Sequence, residues 1–209
     1  MTDELTSNVS HLTSHGIQRA LQMSNTPAFL QDAKEILTKD GFTTGDVWYH
    51  GTSSALIESI QKQGLSRAGD KAMKHVEKST MATIGGSMTE SHEPICLTQS
   101  KELAYFWATQ TVRDRSVRFE GEESPVVLEV KLPADFEEQV KPDTGYAGML
   151  LVDGGGKYME LVEALYKANG IELAEIDPLR ADRSIYLKTL GLAYIDKNIP
   201  PEYISEVNS

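Results

Sequence analysis

A single cysteine, Cys96, in 209 residues excludes an internal disulfide and any multi-cysteine metal centre. No apolar run approaches the roughly 20 residues that a bilayer-spanning helix needs. The opening Met1-Thr2-Asp3-Glu4 has neither the basic start nor the apolar stretch of a secretory signal. Basic residues are also scarce. Lys and Arg total 20 against 31 Asp and Glu, a net charge of −11, and no Lys/Arg-rich run is present. That balance argues against nucleic acid as a partner, because the phosphate backbone would be repelled. The expectation is a cytoplasmic protein without membrane association, or one delivered into a target cell without a classical signal peptide. Composition is otherwise ordinary for a globular chain, at 40% hydrophobic and 24% charged. Its length suits one domain with an appendage.

What is present centres on Val47-Trp48-Tyr49-His50-Gly51-Thr52-Ser53. A β-favouring run ends in a histidine, a small flexible turn follows, and a short helix begins. Ser53 or Ser54 suits its cap, Glu58 lies near its positive end, and Gly64 falls just past its last turn. A strand that delivers His50 and turns at Gly51 offers an imidazole and bare backbone groups to a small polar ligand. An isolated histidine there is commonly a satisfied core residue; the attached Gly-Thr-Ser turn favours ligand contact.

Taken in order, residues 1–16 are polar and without periodicity. Short helices are expected near 17–23 and 27–37, together an N-terminal helical extension over 1–44, ahead of a main domain at 45–209. Residues 66–94 read as a long irregular loop or lid. A strand at Ile95-Cys96-Leu97-Thr98 leads into a helix capped by Ser100 and reaching Val112. On that helix Tyr105 shares a face with Ala108 and Val112 and serves equally as packing, while Trp107 is assigned to the core. Pro125–Pro133 is the clearest strand. The segment 134–183 reads as an insertion with a helix at 158–168. Strands are expected at Ile185–Leu187, Leu192–Asp196 and Glu202–Val207. Strands outnumber long helices without regular alternation, so the fold class is α+β. His75 and His92 fit no metal-ligand spacing. Asp153-Gly154-Gly155-Gly156-Lys157 lacks the first glycine and the hydroxyl residue of a phosphate loop, and Cys96 reads as a small buried strand residue.

Tyr49-His50-Gly51-Thr52-Ser53 with its Ile60…Gly64-Leu65 ending resembles the first motif of the ADP-ribosyltransferase superfamily, in the diphtheria-toxin and poly(ADP-ribose)-polymerase branch. Ile95-Cys96-Leu97-Thr98 with Ser100-Lys101-Glu102-Leu103-Ala104-Tyr105 resembles the second, and Val126–Leu132 follows in the same order. Ile199-Pro200-Pro201-Glu202-Tyr203-Ile204 is similar to the ending of the tRNA 2′-phosphotransferase subgroup. The resemblance covers most of 46–133 and 184–207. It implies a split mixed sheet with short flanking helices and NAD as substrate. It also implies that His50 binds the adenosine-side ribose, the Gly51 backbone clamps the nicotinamide carboxamide, and Tyr105 stacks on the ring. Thr52, Thr98 and Ser100 would be hydroxyl partners nearby.

This chain departs from the family at the polymerase-type glutamate, where Leu190-Gly191-Leu192 stands, and at the second-strand aromatic, which is Cys96. The candidate acids are Glu202 and Asp196, then Glu175, Asp177 and Asp182. Three activities are implied. The first is mono-ADP-ribosyl transfer to a protein or small-molecule acceptor with release of nicotinamide. The second is silent binding of NAD or a partner. The third is NAD-dependent removal of an RNA 2′-phosphate, for which Arg67, Arg180 and Arg183 are the available cations.

Overall fold

The β-favouring run Val47-Trp48-Tyr49 opens strand β3 (Val47–Ser53), the strand around which the others assemble. In the computed structural model, which describes residues 26–43, 45–83, 93–143, 156–174 and 182–208, a small hairpin precedes it. Its strands are β1 (Leu37–Thr38) and β2 (Gly41–Phe42). The larger sheet adds β4 (Ile95–Thr98), β5 (Pro125–Lys131), β6 (Lys141–Pro142), β7 (Leu192–Ile195) and β8 (Ile204–Glu206) to β3. Spatial order is β6-β7-β4-β3-β5-β8. Among the described residues seven α-helices join them: α1 (Ala33–Ile36), α2 (Ile57–Gln63), α3 (Lys71–Thr83), α4 (Lys101–Ser116), α5 (Ala134–Glu137), α6 (Gly156–Ala168) and α7 (Arg183–Leu190). The molecule is a mixed α+β protein.

The mixture of strand directions implied by the family resemblance is not found. Every registered pair among the described strands is antiparallel. The reason lies in the crossover. Helix α4 leaves β4, passes over β3 and delivers β5 to the far edge of β3, so β4 and β5 run the same way with an opposed strand between them. The passage over β3 is close. A Cβ on Gly51 would lie 2.0 Å from the Ala104 carbonyl oxygen and 2.5 Å from the Ala108 nitrogen.

Each face of the sheet has its own core. Trp48, Leu97, Leu128, Val130, Ala193 and Ile195 pack on one face against Ile60 of α2, Leu65 and Ile199. Leu103, Tyr158, Val162, Tyr166, Tyr186 and Leu190, from α4, α6 and α7, pack with Leu192 and Phe42 on the other. There Trp107 stacks on Tyr158 with ring centroids 5.2 Å apart. Gly64 ends α2 at φ +75°, and Leu65 then bridges to Ile199.

Several expected elements differ. Ile185–Leu187 belongs to helix α7, because the Asp182 side chain caps Ser184, Gly191 closes the helix in the left-handed region, and Tyr186, Thr189 and Leu190 recur at helical spacing on the buried face. The stretch expected as a loop over 66–94 contains α3, started by Asp70, which accepts from the amides of Ala72 and Met73. Residues 27–37 hold a 3₁₀ turn (Ala28–Leu30) and the single turn of α1. Leu30, Ala33, Leu37 and Phe42 are buried, so the described part of the N-terminal extension contributes to the core. The helix expected near 17–23 lies outside the described residues.

Candidate functional site

Strands β3 and β4 share one registered pair, Tyr49 with Thr98, whereas β3 pairs with β5 along its whole length. Past Tyr49 the two strands part. Val207, just after β8, donates to the Val127 carbonyl at 3.0 Å, which turns the polar backbone of Val127 toward β8. Gly51 opposite it is therefore a non-hydrogen-bonded partner, and the alternation of an antiparallel ladder turns the Gly51 N–H and C=O toward the gap beside β4.

His50 stands at that gap. Its Nδ1 lies 2.8 Å from the Cys96 carbonyl oxygen of β4. A carbonyl only accepts, so Nδ1 carries the proton. Desolvation holds the imidazole below its ordinary pKa, opposed in part by that same carbonyl. The ring is thus neutral near pH 7, and Nε2 keeps a lone pair available to accept a hydrogen bond or a proton.

The face of β3 that carries His50 and Thr52 opens into a cleft of about 400 Å³. Ligand clefts run from about 300 to 1,000 Å³. Ser59, Ile60 and Gln63 of α2 form one wall; Arg67, Asp70 and Lys71 form a second; Glu93 to Cys96, leading into β4, form a third. The Asp70 carboxylate is fully engaged. One oxygen caps α3, and the other receives Arg115 NH1. Arg115 also grips Glu123 through Nε at 2.7 Å and NH2 at 3.0 Å, and Glu123 accepts from Ser53 at the end of β3. The side chains of Arg115, Asp70 and Glu123 are only 8%, 15% and 12% exposed. The Arg115 hydrogen bonds hold Glu123 below the usual carboxylate range, and the two carboxylates push the guanidinium up, Glu123 contributing most. This network ties the cleft wall to the strand end at a buried site.

The residues named from the sequence divide between the two faces. His50 and Thr52 line the cleft, while Tyr105 packs on the opposite face with Tyr49 against Leu30, Ala104 and Val127. Thr98 donates to the Ser100 carbonyl at 2.7 Å, and Ser100 caps α4 while donating to Asp32 at 2.6 Å. Both hydroxyls are therefore structural. Asp32 also accepts from the Lys101 amide at 2.8 Å, and the Glu102 carboxylate accepts from Ala33, so α1 and α4 cap each other. Burial, and then the Asp32 charge, push Glu102 up to about 7.

Asp196 stands beyond the cleft, paired with Lys141 at 3.1 Å and Arg67 at 3.8 Å. Glu202 is exposed on a 3₁₀ turn (Pro201–Tyr203) away from the cleft. Asp182 caps α7, and Arg183 is exposed on its first turn. Glu175, Asp177, Arg180 and His92 lie outside the described residues. His75 is exposed on α3, and no cluster able to hold a metal occurs among the described residues. Sequence reasoning missed Asp70, Lys71, Glu93 and Arg115. An acid just ahead of a helix was the only available signal, for Asp70; nothing in the charged stretch 113–123 marks Arg115.

No family model matches the chain, and no curated protein or solved structure matches it. Among the described residues no helix is long and apolar enough to cross a membrane.

Proposed function

We propose that the chain is an NAD-dependent mono-ADP-ribosyltransferase that binds NAD at the His50 cleft and transfers ADP-ribose to a protein or small-molecule acceptor. One observation carries this reading: β3 leaves β4 immediately after Tyr49, so the His50 ring and the Gly51 backbone stand together at the gap. A neutral His50 with a free Nε2 lone pair suits a ribose hydroxyl, which can donate to it. A main-chain N–H and C=O turned toward the gap suit a carboxamide, which needs one acceptor and one donor. The order of β3, α2, β4, α4 and β5 along the chain supports this reading, while the described strands of their sheet are antiparallel throughout.

The second reading is a module of the same fold that binds NAD or a partner without turnover. It is favoured by the position of Tyr105, which cannot stack on a ring held on the His50 face. Removal of an RNA 2′-phosphate is disfavoured, since Arg67 lines the cleft but Arg183, the other described arginine of that set, stands exposed on α7 outside it.

Incubation with NAD labelled in the adenylate, together with a lysate, separates the readings. Label on an acceptor with release of nicotinamide is the expected result. Saturable NAD binding without nicotinamide release indicates the silent module, and the absence of binding sinks both. His50→Ala is expected to cut NAD turnover at least 100-fold; turnover at the parent rate would remove the cleft from consideration.

A further inference from the structure

We propose that Glu93 is the catalytic carboxylate of the cleft, an assignment that rests on the transferase reading above. Breaking the bond between ribose C1′ and the nicotinamide nitrogen leaves positive charge on the sugar, and a carboxylate held beside it lowers that barrier. Among the described residues, the acids named from the sequence are elsewhere or occupied. Asp196 is paired with Lys141 and Arg67, and Glu202 is exposed outside the cleft. Asp70 lines the cleft, but both its oxygens are taken by the α3 amides and Arg115. Glu93, though exposed, lines the same cleft as His50, which Glu202 does not, and no hydrogen bond or ion pair among the described residues engages its carboxylate. It lies three residues before Cys96, whose carbonyl holds His50, so one short stretch of backbone fixes the imidazole and carries the acid.

The step balances with no further reactant. The C1′–N bond breaks and its electron pair returns to the pyridinium nitrogen, which leaves as neutral nicotinamide. The acceptor's lone pair forms the new bond to C1′, and the acceptor's proton passes through the Glu93 carboxylate to water.

The test is Glu93→Gln in the full chain, with nicotinamide release and NAD affinity measured separately and Glu160→Gln, an exposed change on α6, as control. The expected result is a fall in kcat of about 100-fold or more, the scale of losing one positioned electrostatic group, with Kd for NAD within threefold and the control unchanged. A Glu93→Gln protein that keeps a third or more of parental kcat overturns the assignment. Loss of turnover in Asp196→Asn with Glu93→Gln unaffected also overturns it, in favour of Asp196. A parent protein that binds NAD but releases no nicotinamide refutes the transferase reading, and Glu93 falls with it.

Discussion

Replacing Gly51 by alanine puts a carbon where main chain already stands. The added Cβ would meet the Ala104 carbonyl oxygen at 2.0 Å, the Ala108 nitrogen at 2.5 Å and the Ala104 carbonyl carbon at 3.0 Å. Comfortable non-bonded separations begin near 3.5 Å, so the helix or the strand must yield by about 1.5 Å. Neither can do so by turning a side chain, because the atoms met are main-chain atoms inside the 16-residue helix α4. Overpacking of a core costs about 1–3 kcal/mol, and the rigid partners place Gly51→Ala at the upper end. For a chain of this length, a loss of about 3 kcal/mol lowers Tm by roughly 6–12 °C. Urea and thermal unfolding of Gly51→Ala beside Gly45→Ala measure the difference, since a Cβ at Gly45 meets nothing within 4 Å. Equal stability of the two variants would show that α4 does not rest on β3 as described. The result also separates two roles for this glycine: an unstable variant that still binds NAD needs Gly51 for packing alone.

Two further outcomes follow from buried charge. Arg115→Ala leaves Asp70 and Glu123 facing each other without their shared cation, and a loss of about 3–5 kcal/mol is expected in urea unfolding. Arg115→Lys is expected to recover part of it, because one ammonium cannot make the forked contact with Glu123; a loss under about 1 kcal/mol in the alanine variant would contradict the network. Glu102 titrates at about 7 in the folded chain against an ordinary 4.5, so between those values the folded state keeps a proton that the unfolded state has released. Stability from this group is therefore greatest below pH 4.5 and declines as pH rises to about 7. His50 acts in the opposite sense, its lowered pKa costing stability as pH falls below 6.5. The difference in unfolding free energy between parent and Glu102→Gln isolates the first component. It should change between pH 4.5 and 7 and be flat outside that window; a constant difference refutes the assignment.

The parts of the fold that could be read from the chain were those fixed locally. Ser100 caps α4, Gly64 closes α2, and the alternation of Pro125–Lys131 makes a strand, each from residues within one turn or one strand length. Ile185–Leu187 misled because a β-branched residue and an aromatic favour a strand, while the deciding signals were the cap at Asp182 and the glycine at 191. The site was harder still. The turn at His50 was visible, but the face on which a helical residue meets a strand depends on the crossover, and α4 carries Tyr105 over the far side of β3. Glu93 and the Asp70–Arg115 contact depend on long-range placement, since 45 positions separate the latter pair.

The chain has two tryptophans, and they report on different places. Trp48 is enclosed in the layer beneath the cleft, and Trp107 lies against Tyr158 in the layer formed by α4, α6 and α7. Each slab of the molecule thus has its own built-in fluorophore. Changing either indole to phenylalanine leaves a single emitter whose melting curve belongs to one slab, and comparing the two curves tells whether the sheet holds both layers to a common transition.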